Sequence, residues 1–330
     1  MRRALQAPFP WFGGKSRVAP ILWRAFGPSV PNYVEPFAGS LAVLLGRPGG
    51  PGSYETVNDR DCYLSNFWRA VRADPEQVAA HADWPVNEAD LHARHAWLAA
   101  QVEFRNRMLA DPEYFDARIA GWWVWGVSQW IGDGWCSETG HGPRQRRMPA
   151  VAGAKGAHRT RLPGIANARG THGLSKPPCS EWFGELAARL RRVRVCCGDW
   201  QRVLGDSVLG ISSSGTAGGM SPAAIFFDPP YSADSRGARP LYAVDDFGIS
   251  RAVRDWCLEH GDDPRLRIAL CGYEGEHAMP HSWRVHAWKA HGGYGVRNPG
   301  NQNKRRERIW LSPHCLAFEQ QRELFGEWTQ

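Results

Sequence analysis

An apolar run at residues 223 to 231, AAIFFDPPY, drives straight into an aspartate, two prolines and a tyrosine. The run Ala223 to Phe227 reads as a buried strand, so Asp228 stands at a strand's carboxyl end, where open α/β sheets bind ligands. Prolines fix φ and stop a hydrogen-bond ladder, which holds the backbone at Pro229 and Pro230 at a set angle. A carboxylate beside a fixed backbone carbonyl offers two acceptors for the two hydrogens of one amine. The same four residues also suit a capped strand end with a rigid turn and no chemistry at all. The choice depends on what the rest of the chain places beside them.

Three further stretches carry candidate groups: PWFGGK at 10 to 15, VEPFAGS at 34 to 40 and VNDRD at 57 to 61. GGKS at 13 to 16 has the ending of a phosphate-binding loop, but that pattern needs a glycine five residues before Gly14 and this chain has Phe9 there. A nucleotide-hydrolase cradle therefore fails. In the same stretch Lys15 is a cation and Trp11 an aromatic face. VEPFAGS follows a strand and opens a helix, so Gly39 can turn the chain tightly while a ligand lies against the backbone. Asp59 ends the next strand, where a carboxylate can accept from two adjacent hydroxyls. NDRDCYLSNFW also starts a helix, so a helix cap is the rival role for Asp59.

The elements that must hold these groups are legible as short apolar runs bounded by turn residues. Strands are expected at 32–37, 54–59, 193–199, 223–228, 266–272, 283–288 and 307–312. Helical patterns cover 40–45, 62–72, 182–190 and 247–259, and this alternation argues for an open α/β sheet. Residues 74–190 break it, with a helical polar start, the aromatic GWWVWGVSQWIGDGW and a basic Gly-rich end. They read as an insertion, dividing the chain at 1–73, 74–190 and 191–330. The tryptophans at 122, 123, 125, 130 and 135 are expected in a helical core.

At 330 residues the chain has ample length for a real core, with 43% hydrophobic and 22% charged residues. No apolar run has bilayer-spanning length, and MRRALQAPFPW lacks an export-signal core, so a cytoplasmic protein is expected. The eight cysteines include no CxxC pair, which points to reduced structural thiols and no metal ribbon. The formal charge of +7 favours a polyanionic partner. Between Glu138 and Glu181 there is no acidic residue, whereas Arg144, Arg146, Arg147, Lys155, Arg159, Arg161, Arg169 and Lys176 are all basic. Such a run is a phosphate-contact candidate or a solvated segment.

The four motifs, in this order and with a long variable segment before the last, resemble the Dam-like family of adenine-specific DNA methyltransferases. The resemblance covers about residues 8 to 72 and 193 to 312. It implies a Rossmann-like S-adenosylmethionine-dependent methyltransferase sheet with an inserted, mostly helical target-recognition domain. It implies Trp11, Lys15, Glu35, Pro36, Phe37, Gly39, Asp59 and Asp228 as cofactor-binding residues. Asp228, Pro229, Pro230 and Tyr231 are implied as catalytic, acting on the exocyclic amine of an adenine flipped out of duplex DNA, with Tyr231 stacked on the base and no metal. Arg144, Arg146, Arg147, Lys155, Arg159 and Arg161 then become DNA contacts, with VRNPGNQNKRRER at 296 to 308 as a second basic stretch. Family members usually have a second glycine two residues after the first; this chain has Leu41 there, which bears on how closely the cofactor approaches the backbone. Asp199 is a further cofactor contact or a turn cap, and Tyr242 and Phe247 have family-like spacing. One chain holds all the motifs, so a monomer is expected.

Other chemistries fit less well. Cytosine C5 methylation needs a catalytic cysteine, and the Pro178-Cys179 pair lacks a preceding strand and a Glu-Asn-Val triplet. Cytosine N4 methylation uses the same physics, usually with serine in place of Asp228. A DNA-binding protein of the same fold without activity is the remaining alternative.

Overall fold

The computed structural model describes residues 5–9, 11, 14–27, 29–130, 135–136, 178–211, 222–231, 248–288 and 306–317. Among these residues seven strands form one mixed sheet: β1 (Asn32–Glu35), β2 (Tyr54–Asp59), β3 (Val193–Cys197), β4 (Ala223–Phe227), β5 (Leu266–Tyr273), β6 (Arg284–Ala287) and β7 (Glu307–Leu311). Their order is β3-β2-β1-β4-β5-β7-β6. The pairings β3/β2, β2/β1, β1/β4 and β4/β5 are parallel, whereas β7 runs antiparallel to both β5 and β6. This seven-strand α/β sheet is consistent with a methyltransferase fold.

Strand order reverses between β1 and β4, which lie side by side with Val34 opposite Ile225. Helices on opposite faces leave a crevice beyond the carboxyl ends at such a point. Glu35 ends β1 and Asp228 follows β4, so the topology brings the ends of VEPFAGS and FFDPPY together.

The central strands are buried on both faces, and their side chains sort by the two-residue period of a strand. In β4, Ala224 and Phe226 enter one core, and Ala223, Ile225 and Phe227 the other. The first core is built with α1 (Ala19–Phe26), α2 (Ala42–Leu45) and α3 (Cys62–Ala73). The second packs on α10 (Ile249–His260) and on Trp200 in a 3-10 turn (Trp200–Val203), with the short α9 (Asp206–Leu209) nearby.

The helical segment continues the first core. After α4 (Pro75–Ala82), α5 (Glu88–Ala99), α6 (Val102–Ala110) and α7 (Ala117–Gln129) comes α8 (Cys179–Leu190). α4 packs against α7 and α8, and α3 against α7. Trp123, Trp125 and Trp135 are buried in this core, and Trp122 and Trp130 pack on its margin. All eight cysteines are free, and seven are buried. No described helix is long and apolar enough to cross a membrane.

All seven expected strands are present, and the corrections are at the ends. The run 32–37 stops as a strand at Glu35, because Pro36 has no N–H for a ladder. The run 193–199 stops at Cys197, before Gly198 at φ 135. The helix expected over 40–45 begins at Ala42, because Leu41 before it is left-handed, at φ 53 and ψ 26. The helix expected from 182 begins at Cys179, and the one expected over 247–259 spans Ile249–His260.

Leu41 is fully buried, so a strained backbone is held by packing. Two substitutions separate the two effects. Leu41→Ala keeps a Cβ in the left-handed region and empties the side-chain volume, an expected cost of about 2–5 kcal/mol in denaturant titration. Leu41→Gly empties the same volume but relieves the strain, so it should be the more stable of the two by about 1 kcal/mol. The reverse order would contradict the left-handed assignment.

Candidate functional site

A cleft of about 900 Å³, open to solvent, lies across the carboxyl ends of β1, β2, β3 and β4. Trp11, Lys15, Glu35, Pro36, Phe37, Gly39, Asp59 and Asp228 all line it, as does Pro230. Residues from two parts of the chain nearly two hundred positions apart thus share one wall. Arg144, Arg146, Arg147, Lys155, Arg159 and Arg161, the wider stretch to Lys176, and Tyr242 and Phe247 lie outside the described residues. Of the stretch 296–308, only Arg306, Glu307 and Arg308 are described.

Asp59 and Asp61 divide the work that the sequence left open for Asp59 alone. Asp61 caps α3, its carboxylate accepting from the Tyr63 and Leu64 amides. Asp59 accepts from the Gly39 amide at 3.0 Å and the Asp61 amide at 2.9 Å. It therefore ties the β1 turn to the β2 end while facing the cleft. Burial, then the neighbouring Asp61 carboxylate, pushes the Asp59 carboxyl up to about 7, against the opposing backbone N–H groups.

Gly39, at φ 47, is fixed on three sides. Its amide meets Asp59, its carbonyl accepts from the Trp68 indole at 3.0 Å, and a Cβ there would stand 2.7 Å from Trp11 Nε1. Any larger residue would displace the indole. Leu41, two residues on, turns its side chain into the core and takes no part in the cleft wall. The backbone keeps a glycine-like conformation there without glycine.

The far end of the cleft is a buried polar cluster. Lys15 Nζ lies 2.9 Å from Asp228 Oδ1 and donates to the Tyr231 hydroxyl at 3.2 Å. The Lys15 ammonium also lies 5.7 Å from the centre of the Trp288 ring. Tyr231 donates to Glu307 Oε2 at 2.8 Å, and its hydroxyl is 3.4 Å from Asp228 Oδ1. Its ring packs edge-on to Tyr273 at 4.6 Å. Burial by itself lowers the Lys15 pKa, but Asp228 and Glu307 outweigh it and hold the ammonium charged. Glu35 is buried and accepts from the Tyr33 hydroxyl at 3.0 Å; burial pushes its carboxyl well above the usual range.

Several cleft residues carry no role in the sequence reading. Trp200 stacks on Phe37 at 6.2 Å and supplies an aromatic wall. Its signal is an aromatic directly after the β3 turn, beside Asp199, whose carboxylate caps the 3-10 turn by accepting from Gln201. Asn58 donates to the Pro36 and Gly198 carbonyls, stapling the β1 and β3 ends, and its Oδ1 is buried without a partner. Glu307 is signalled only by an acid opening the apolar run ERIWL. Among the described residues no group of three His, Cys, Asp or Glu could hold a metal ion.

The cleft thus offers an aromatic wall, a carboxylate and an orphaned amide oxygen at its β2 side, with the Lys15–Asp228 ion pair and Pro230 at its β4 side. With that geometry in place, comparison adds one match. Residues 11–113 match the family model of D12 class N6 adenine-specific DNA methyltransferases. The matched range includes Trp11, Lys15, Glu35, Gly39 and Asp59 and runs on into the helices; Asp228 to Tyr231 lie beyond it. No curated protein matches the chain.

The raised Asp59 pKa fixes the sign of a pH effect. Between about 3.8 and about 7 the folded state holds a proton that the unfolded state has released, so this residue's contribution makes stability fall as pH rises through that window. Denaturant titrations of wild type and Asp59→Asn should therefore show the variant gaining on wild type from the acid to the alkaline side. A difference that stays constant with pH would contradict the assignment.

Proposed function

We propose that this chain, whose residues 11–113 carry the D12 class pattern, transfers a methyl group from S-adenosylmethionine to the N6 amine of an adenine flipped from duplex DNA. The observation that carries the reading is the meeting, at the β1/β4 reversal, of the matched N-terminal groups with Asp228 and Pro230. S-adenosylmethionine, when bound, supplies a methyl carbon activated by a sulfonium.

The residues present fit that cofactor. Asp59 is the acceptor for the ribose hydroxyls, and Asn58 Oδ1, buried and unpartnered, is a further acceptor on the same side. Phe37 and Trp200 form an aromatic wall for the adenine ring, and Trp11 covers the glycine turn. Glu35 and Lys15 are the charged groups for the methionine end, although Lys15 must then serve Asp228 as well.

At the acceptor end the chain's task is positioning. Adenine's exocyclic lone pair is delocalised into the ring, which makes the amine a poor nucleophile. Asp228 and the Pro229 carbonyl each accept one amine hydrogen and draw the nitrogen toward a tetrahedral form. Asp228 Oδ1 is already engaged by Lys15, so entry of the amine requires that ion pair to loosen or share the oxygen. Tyr231 stacks on the base in this reading, from a ring whose hydroxyl is tied to Lys15 and Glu307.

The basic run at 144–161 supplies DNA phosphate contacts, within a target-recognition region over 74–190. A monomer suffices, because both halves of the site come from one chain. Cytosine N4 methylation remains the second reading, with Asp228 favouring adenine.

Asp228→Ala tests the assignment. Transfer of labelled methyl to DNA should fall by at least about 100-fold. Full methylation by the variant would remove Asp228 from the mechanism.

A further inference from the structure

We infer that Glu307 is the group that takes up the proton released in methyl transfer, reached from Asp228 through the Tyr231 hydroxyl. The inference rests on the adenine-methylation reading above.

Transfer leaves a proton to be placed. As the nitrogen–carbon bond forms and the carbon–sulfur bond breaks with its electron pair left on sulfur, one N–H bond of the amine breaks toward Asp228 Oδ1. The sulfonium charge disappears, the nitrogen ends neutral, and Asp228 holds one proton. Left there, that proton removes the charge facing Lys15 and occupies the oxygen that would accept from the next amine. The Tyr231 hydroxyl is 3.4 Å away, with Glu307 Oε2 2.8 Å beyond it. The hydroxyl oxygen takes the proton from Asp228 as its own hydrogen passes to Glu307. Asp228 is ionised again, Tyr231 is unchanged and Glu307 is protonated. The longer first link is of the kind that tightens when substrate fills a site.

Glu307 is built for this. It opens β7, is 6% exposed and faces Tyr273 across the ladder. Among the described residues, the charged and titratable groups facing it include Lys15 from the N-terminal segment, Asp228 and Tyr231 from the β4 end, Cys271 from β5 and Glu276 from the turn after β5. Burial raises its carboxyl above the usual range against the opposing pull of Lys15 and the Tyr231 hydrogen bond. A raised carboxyl holds a proton more firmly than an ordinary one. Its sign follows: Glu307 must be ionised to accept, so transfer weakens as pH falls through its raised value.

The test compares wild type, Glu307→Gln and Tyr231→Phe in methyl transfer across pH, measured over many turnovers because Asp228 is reset between them. Glutamine still accepts the Tyr231 hydrogen bond but cannot take a proton, so a merely structural Glu307 predicts near-wild-type behaviour. The relay predicts a rate about 100-fold lower with the acid limb of the pH profile gone, while cofactor affinity and melting temperature stay close to wild type. Tyr231→Phe keeps Glu307 but cuts the path and should lose the same limb, which decides the matter if Glu307→Gln does not fold. Infrared difference spectra between unliganded wild type and Glu307→Gln should show a protonated carboxyl band persisting above the ordinary glutamate range. Wild-type rate and pH profile in both variants, or no such band, overturns the relay alone. Wild-type protein that methylates no DNA overturns the underlying activity as well.

Discussion

The ion pair between Lys15 and Asp228 is the contact on which the site depends. A lysine with 4% of its surface exposed needs an anion, because an uncompensated buried charge costs several kcal/mol. Asp228 supplies it at 2.9 Å, and Tyr231 and Glu307 complete the surround. Lys15 stands at the entry to α1, its carbonyl accepting from the Val18 and Ala19 amides. Asp228 ends β4 and Glu307 opens β7. One buried cation therefore binds the start of the chain, the centre of the sheet and its antiparallel end into a single polar cluster.

The opposite wall depends on a second constraint, the close approach of backbone at Gly39. Its positive φ, the Trp11 indole over it and the Asp59 carboxylate under its amide together set the β1 turn. Leu41 completes that turn in a left-handed conformation that leucine seldom adopts. Its fully buried side chain supplies the packing that holds the strain. The turn thus keeps the shape a second glycine would give, and the leucine contributes to the core instead of obstructing the cleft.

The strands were legible because each is a run of apolar residues buried on both faces and bounded by turn residues, as in AAIFFDPP. Asp228 and Gly39 were legible because they sit directly at such strand ends. What local pattern cannot carry is the partner. Asp59 and Asp61 are two residues apart ahead of one helix, and only their orientation assigns the cap to Asp61. Glu307 meets Tyr231 across 76 positions, and Lys15 meets it across 216. Trp200 became a cleft wall because β3 pairs with β2, which places the β3 turn beside Asn58. The left-handed backbone at Leu41 was signalled only by the glycine usual at that position in the family the motifs resemble, because leucine itself gives no sign of it.

The proposed chemistry is defined by the atom that receives the methyl group. The direct measurement is to incubate the purified protein with S-adenosylmethionine and unmethylated DNA, digest the DNA to nucleosides and identify the modified one by mass spectrometry. The proposed pairing of Asp228 and the Pro229 carbonyl as amine acceptors, at the β1/β4 reversal, predicts N6-methyldeoxyadenosine. N4-methyldeoxycytidine would contradict the assigned base, and an unmodified digest from protein that binds the cofactor would contradict the assigned reaction.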